Sequence, residues 1–289
     1  MNIDPRNIDR RIVYLLVILA LSIPLIQGYT LKPARMQAAE SFYQEVEKLT
    51  LNPGQFVFLS LDFGPNSKAE NLPQSEVVIE HLMRRRIPLA VYSQYNQAEP
   101  FLNSIPEGVI ERLQAEDSSQ QYIYGRDWVN LGFRPGGSII IQGIADSKNL
   151  AEFLKKDARG NSLKDLPIFS ETKDLSSVSM LVQITSLVGT LDTYLQFFSK
   201  KNFRPIFGHG CTSITIPQAF NYLDSGQLRG LLEGIAGAAW YSQLLKQAYP
   251  ARKVDSSMTI NTGLGIAHLV VILLVVLGNL GHFIRSRAA

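Results

Sequence analysis

The sequence has little of the chemistry from which metal and thiol sites are built. It contains 1 cysteine and 4 histidines in 289 residues. The single cysteine, Cys211, excludes an internal disulfide and a zinc site of the usual kind with several cysteine ligands. The histidines are too scattered along the chain to suggest a metal centre; they are His81, His209, His268 and His282. We therefore expect no metal and no cofactor.

The middle of the chain has no excess of positive or negative charge. Residues 32–261 contain 23 basic and 23 acidic side chains, so the formal net charge of +3 comes entirely from the two ends. Nucleic-acid binding needs a basic surface that neutralises phosphates, which argues against a nucleic-acid partner. The glycine pair at residues 136–137 precedes an apolar run and matches no phosphate-binding loop pattern.

Two long apolar runs are present, at residues 12–31 and 263–284. About 20 apolar residues are needed to cross a bilayer, so we predict two transmembrane helices and a lipid bilayer as partner. The first run also fits the apolar part of a signal peptide, but we favour an uncleaved signal anchor. Positive-inside bias puts the tails, residues 1–11 and 285–289, in the cytoplasm and the domain on the exoplasmic side. Basic residues on the domain side weaken that bias.

The residues between the two runs indicate an α/β domain. We predict a juxtamembrane helix at 32–51, the domain at 52–250 and a linker at 251–262. Apolar runs that alternate with helical patterns predict five strands: 56–63, 87–93, 138–144, 177–185 and 204–208. This alternation favours a three-layer, mainly parallel sheet of Rossmann-like or flavodoxin-like type.

Parallel sheets bind ligands at the carboxyl ends of their strands. That rule predicts a crevice lined by Asp62, Ser93, Asp146, Thr185, Ser186 and His209. Cys211 follows His209 by two residues, so a nucleophilic thiol with an imidazole base is one hypothesis, and Asp62 as a catalytic acid is another. The simpler interpretation is a tight turn around Cys211 and His209, with Asp62 in a turn or cap.

Two segments suggest interaction surfaces. Gly226, Gly230 and Gly234 recur every fourth residue, which on a helix would give one face that approaches another backbone closely. Tyr124, Trp128 and Phe133 lie in an aromatic loop that suits protein contact. The alternatives are a helix packed on its own sheet and aromatic residues folded inward.

Three functions follow from these features. We favour a non-enzymatic role, in which a two-pass membrane protein is a subunit or scaffold of a membrane assembly with protein partners or copies of itself. The second hypothesis is a sensory domain that binds a small molecule in the strand-end crevice. The third is a hydrolase or transferase that uses Cys211 and His209.

Overall fold

The computed structural model describes residues 10–199 and 204–286, and the chain divides into two units. One comprises Met1–Pro33 with Lys253–Ala289, and the other, the α/β unit, comprises Ala34–Arg252. Most of both predicted cytoplasmic tails, at 1–9 and 287–289, lies outside the described residues. Each unit is described by itself.

The terminal unit consists of two helices, α1 (Arg10–Gln27) and α10 (Ser256–Ser286). Both are long and apolar enough to cross a membrane. They pack on each other where Gly263 approaches the backbone carbonyl of Leu21. The helix α10 begins at Ser256, inside the segment predicted to be a linker. Its first turns contain polar residues, of which Thr262 accepts a hydrogen bond from the backbone amide of Leu31.

The α/β unit is built on one sheet of six parallel strands. The strands are β1 (Phe56–Asp62), β2 (Leu89–Ser93), β3 (Trp128–Phe133), β4 (Val178–Thr185), β5 (Ile206–Cys211) and β6 (Gly230–Glu233). Their order across the sheet is β3-β2-β1-β4-β5-β6. The chain therefore fills one half of the sheet, returns to the centre, and fills the other half, with the reversal between β1 and β4.

Helices cover both faces of this sheet, as the apolar strand runs predict. The first face is covered by α2 (Gln37–Lys48), α3 (Lys68–Arg84), α4 (Glu99–Glu116) and α9 (Gly234–Ala248). The second face is covered by α5 (Ser138–Asp146), α6 (Leu150–Leu154), α7 (Thr190–Phe198) and α8 (Ile216–Asp224). The three-layer α/β arrangement is thus confirmed, with an entirely parallel sheet.

The predicted juxtamembrane helix belongs to the core of the α/β unit. Phe42 and Val46 of α2 are fully buried on the first face, and α2 packs against the short strand β6. A helix over the end of the sheet shields an edge strand that would otherwise offer unpaired backbone groups.

The predicted strand at 138–144 is wrong. These residues form α5, with Ile141 and Ile144 buried at a spacing of three while Ile139 is exposed. A short apolar run does not distinguish a strand from a helix, and the positive φ angles of Gly136 and Gly137 allow the chain to turn into a helix here. The third strand is β3, within the stretch predicted to be an aromatic loop.

The predicted helix with a glycine face is also wrong. Gly226 lies in a turn after α8 with φ of +70°, Gly230 begins β6, and Gly234 begins α9 with φ of +54°. Residues four apart share a face only on a helix, so these three glycines do not form one surface. Gly230 instead lets β6 approach α2, because a Cβ there would lie 2.3 Å from the Cα of Phe42.

Candidate functional site

A buried carboxylate ends the central strand β1. Asp62 is fully buried and accepts hydrogen bonds from the Ser60 hydroxyl at 2.6 Å, the Ser93 hydroxyl at 2.9 Å and the Gln94 backbone amide at 3.0 Å. Burial raises the pKa of Asp62, whereas these donors act to lower it. Asp62 therefore ties the end of β1 to the end of β2 and has little free hydrogen-bonding capacity.

A chain of hydroxyl groups runs from Asp62 into the second face. The Ser60 hydroxyl lies 2.7 Å from the hydroxyl of Tyr194, which in turn contacts the hydroxyl of Tyr92. Ser60 has one proton and gives it to Asp62, so it must accept from Tyr194, and Tyr194 must accept from Tyr92. Burial, and then the charge of Asp62, raise the pKa of Tyr92 well above its ordinary value, so this end of the chain stays protonated.

Four polar residues lie side by side on the second face. Tyr92 pairs with Ser60, Ser60 with Gln183, and Gln183 with His209 in the register of β2, β1, β4 and β5. We call these four residues the polar row. All four are buried, with His209 the most exposed at 2%. The row crosses the centre of the sheet, and each of its members lies one or two residues before the last residue of its strand.

Two residues of the polar row carry side-chain atoms without hydrogen-bond partners. Within the part of the chain that the structure describes, the amide nitrogen and amide oxygen of Gln183 have no partner, and neither has Nδ1 of His209. Burial lowers the pKa of His209 to about 3, so the imidazole is neutral. A buried polar group without a partner costs about 1–3 kcal/mol. Three such atoms on two adjacent residues are therefore an unusual cost at one place.

The structure brings most of the predicted crevice residues together. The Thr185 hydroxyl and the Ser186 amide both donate to the backbone carbonyl of Asp62, at 3.0 Å and 3.2 Å. Asp62 and Ser93 are also in contact, as described above. His209 lies one step deeper, in the polar row, whereas Asp146 is exposed at the far end of α5 and is not part of the crevice.

Cys211 is not arranged as a nucleophile. Its thiol is buried, and burial raises its pKa to about 12. Nucleophilic cysteines react as thiolates, which this environment disfavours. The neighbouring His209 is held neutral in the interior. The catalytic hypothesis for Cys211 and His209 thus finds neither an activated thiol nor an exposed base.

The predicted aromatic interface is turned inward. Trp128 is buried in β3 and packs edge-on against Tyr124, with ring centroids 4.9 Å apart. The guanidinium of Arg159 lies over Tyr124 at 3.6 Å, and Phe133 is half-buried. These contacts belong to the packing of the α/β unit, which is the simpler of the two sequence interpretations.

The loops that follow β1 and β2 form an open cleft of about 710 Å³, lined by Pro65, Asn66, Asn96, Gln97, Glu99 and Pro100. Gly64 in this region packs tightly, because a Cβ there would lie 2.6 Å from the Gln97 side chain. That glycine allows the two loops to pack against each other.

Within residues 10–199 and 204–286, no group of three His, Cys, Asp or Glu side chains could hold a metal ion.

Comparisons with protein-family models, with curated proteins and with solved structures found no match to this chain. The polar row was missed from the sequence, where Ser60, Tyr92 and Gln183 each stand alone inside an apolar strand. The available signal was the amide of Gln183 between Val182 and Ile184, at a position that strand alternation buries.

Proposed function

We propose that this protein is a membrane-anchored binding domain, in which the α/β unit holds a small polar molecule at the polar row. The observation that carries the proposal is the set of unpartnered polar atoms on Gln183 and His209. Buried polar groups are nearly always hydrogen-bonded in native proteins, so a bound molecule would remove the cost of leaving these atoms unpaired.

The strand order supports this location. The order β3-β2-β1-β4-β5-β6 is that of Rossmann-like sheets, which bind ligands toward the carboxyl ends of their strands near the central reversal. The polar row spans the reversal between β1 and β4. Gln183 offers both a donor and an acceptor, and neutral His209 offers its unpartnered Nδ1 as one more hydrogen-bonding atom. Because the carboxyl of Asp62 lies beside the row, an uncharged ligand fits better than an anion.

The role as a subunit or scaffold of a membrane assembly stays an untested alternative. Gly230 and Trp128, two of the residues on which it was based, are buried in the α/β unit, whereas Gly226 is exposed. For the membrane orientation we keep the positive-inside proposal, with the termini in the cytoplasm and the α/β unit outside. An Asn96→Cys variant should then react with a membrane-impermeant thiol reagent in intact cells. Labelling only after cell lysis would reverse the orientation.

The binding function is tested on the full chain in lipid nanodiscs. Thermal unfolding is measured with acetamide and propionamide as uncharged probes, for the native chain and for Gln183→Met. We expect the native chain to be stabilised and the variant to lose that effect. Gln142→Met, which makes the same change on the exposed side of α5, should behave as the native chain. Equal stabilisation of the native chain and Gln183→Met, or no stabilisation of the native chain, would refute the proposal.

A further inference from the structure

Three loops at the carboxyl edge of the second face carry exposed aliphatic side chains. Ile139, Val188 and Ile214 are 77%, 75% and 87% exposed, in the loops and first helical turns that follow β3, β4 and β5. Single exposed aliphatic residues are ordinary. Here, however, one occurs in each of three successive connections on the same face and edge of the sheet.

These connections also lack charge. No Asp, Glu, Lys or Arg occurs in residues 135–145, 186–191 or 212–223. The connections on the first face do contain charged residues, and one of them reaches the β5 connection, since the carboxylate of Glu70 accepts hydrogen bonds from the backbone amide and hydroxyl of Ser213. The uncharged segments are neighbours in space, because α5 packs on α7, and Asp192 of α7 accepts hydrogen bonds from Gln218 and Tyr222 of α8. We call the three exposed side chains, Ile139, Val188 and Ile214, the aliphatic rim.

The rim and the polar row are carried by the same strands. Val188 comes five residues after Gln183, and Ile214 comes five residues after His209. Between them, Thr185 and Cys211 end β4 and β5 as a register pair. Cys211 is a neutral thiol and Thr185 is bonded to the β1 backbone, so neither adds a charge between the row and the rim.

Resting on the function proposed above, we infer that the ligand is amphipathic: an uncharged hydrogen-bonding head meets Gln183 and His209, and an aliphatic chain meets Val188 and Ile214. The head satisfies the unpartnered polar atoms. The chain removes from water the apolar surface that the rim exposes, which is the usual source of affinity for an alkyl group.

The inference predicts a dependence of affinity on chain length. Binding of acetamide, butanamide and hexanamide to the full chain in nanodiscs is measured by calorimetry, with empty nanodiscs as the blank. Each added methylene that is buried should tighten binding about fourfold. Val188→Ser and Ile214→Ser should flatten this dependence and leave acetamide binding unchanged. Ile123→Ser, an exposed aliphatic residue before β3, is the matched control and should change nothing.

The outcomes separate the two proposals. Equal affinity for acetamide and hexanamide, or chain-length dependence that survives both serine variants, overturns the amphipathic ligand and leaves a binding site for a polar molecule. Hexanoate should bind more weakly than hexanamide, and equal binding would overturn the uncharged head. If Gln183→Met binds all three amides as well as the native chain does, the polar row is not the site and the proposed function fails with it.

Discussion

The two faces of the sheet differ most in their carboxyl halves. On the first face, the central strands are apolar from end to end, as Val57, Leu59 and Leu61 show for β1. On the second face, β1 begins with Phe56 and Phe58 but ends with Ser60 and Asp62, and β4 and β5 change in the same way. On the first face the buried polar groups, such as Gln74 and His81, come from the covering helix α3, whereas on the second face the strands themselves are polar over half of their length. Buried polarity has a cost, so it marks the part of the sheet where a function is to be sought.

The largest effect should come from the close packing of the first face. Gly230→Leu places a side chain where the backbone of Phe42 already lies, so we expect the α/β unit not to fold. Near-ultraviolet circular dichroism and limited proteolysis of the full chain report this. Gly226→Ala is the control. Its Cβ meets no atom within 4 Å, and only its positive φ is unfavourable, at about 1 kcal/mol. A native melting temperature for Gly230→Leu would contradict this account of β6.

Neighbouring residues of β4 should respond with opposite signs. Ile184→Ala opens a cavity on the first face and should lower the free energy of unfolding by about 2–5 kcal/mol. Gln183→Met removes two unpartnered atoms from the second face and should raise it by about 1–2 kcal/mol when no ligand is present. Urea unfolding measures both. If Gln183→Met lowered the free energy of unfolding as much as Ile184→Ala does, the side chains on the two faces would contribute to stability in the same way.

Acid should destabilise the α/β unit through His209. Its pKa is about 3 when folded and near 6.5 when unfolded, so the unfolded state binds the extra proton as the pH falls. The contribution of His209 to the free energy of unfolding is complete above pH 6.5, and about 2–3 kcal/mol of that contribution is lost by pH 4.5. His81 on the first face, with a pKa lowered by burial to about 4, acts in the same direction. The raised pKa of Asp62 acts in the opposite one.

The contribution of His209 is isolated by comparing two pH profiles. Subtracting the unfolding free energy of His209→Gln from that of the native chain at each pH cancels the terms from His81 and Asp62. The difference should fall as the pH drops from 6.5 to 4.5. A difference independent of pH would mean that His209 is protonated, or accessible to solvent, in the folded state.

The smallest effects should come from the chain of hydroxyl groups. Tyr194→Phe removes the acceptor for Tyr92 and the donor to Ser60, which should cost about 1–2 kcal/mol. Tyr92→Phe removes only the last donor and should cost less than about 1 kcal/mol. Both are measured by urea unfolding. A larger loss for Tyr92→Phe than for Tyr194→Phe would contradict the central place of Tyr194 in the chain of hydroxyls.

Much of the fold could be predicted because it is encoded locally. The strands β1, β2, β4 and β5 were recognised from short apolar runs, and the terminal helices from their length and lack of charge. The strand predicted at 138–144 failed for the same reason that others succeeded. Its isoleucines suit either a strand or a helix, and the neighbouring α7 and the second face of the sheet decide which of them are buried.

The role of Gly230 also depends on a contact that is distant in the sequence. Their spacing suggested a helix, but Gly230 is needed because α2, almost two hundred residues earlier, lies across β6. No local pattern contains that contact. Most residues predicted to line the crevice lie near one edge of the sheet, because strand ends meet at one edge in any parallel sheet, whereas Asp146 lies elsewhere because the strand predicted before it is the helix α5. Ligand binding at this crevice stays a prediction.

The sequence by itself determined which segments are apolar enough to span a membrane and that the middle of the chain alternates between strands and helices, because both properties depend on neighbouring residues. The tertiary structure alone decided that Ser60, Gln183 and His209 lie side by side. Their register is set by pairing between strands far apart in the chain, and the burial that leaves the Gln183 amide without a partner exists only once helices cover both faces.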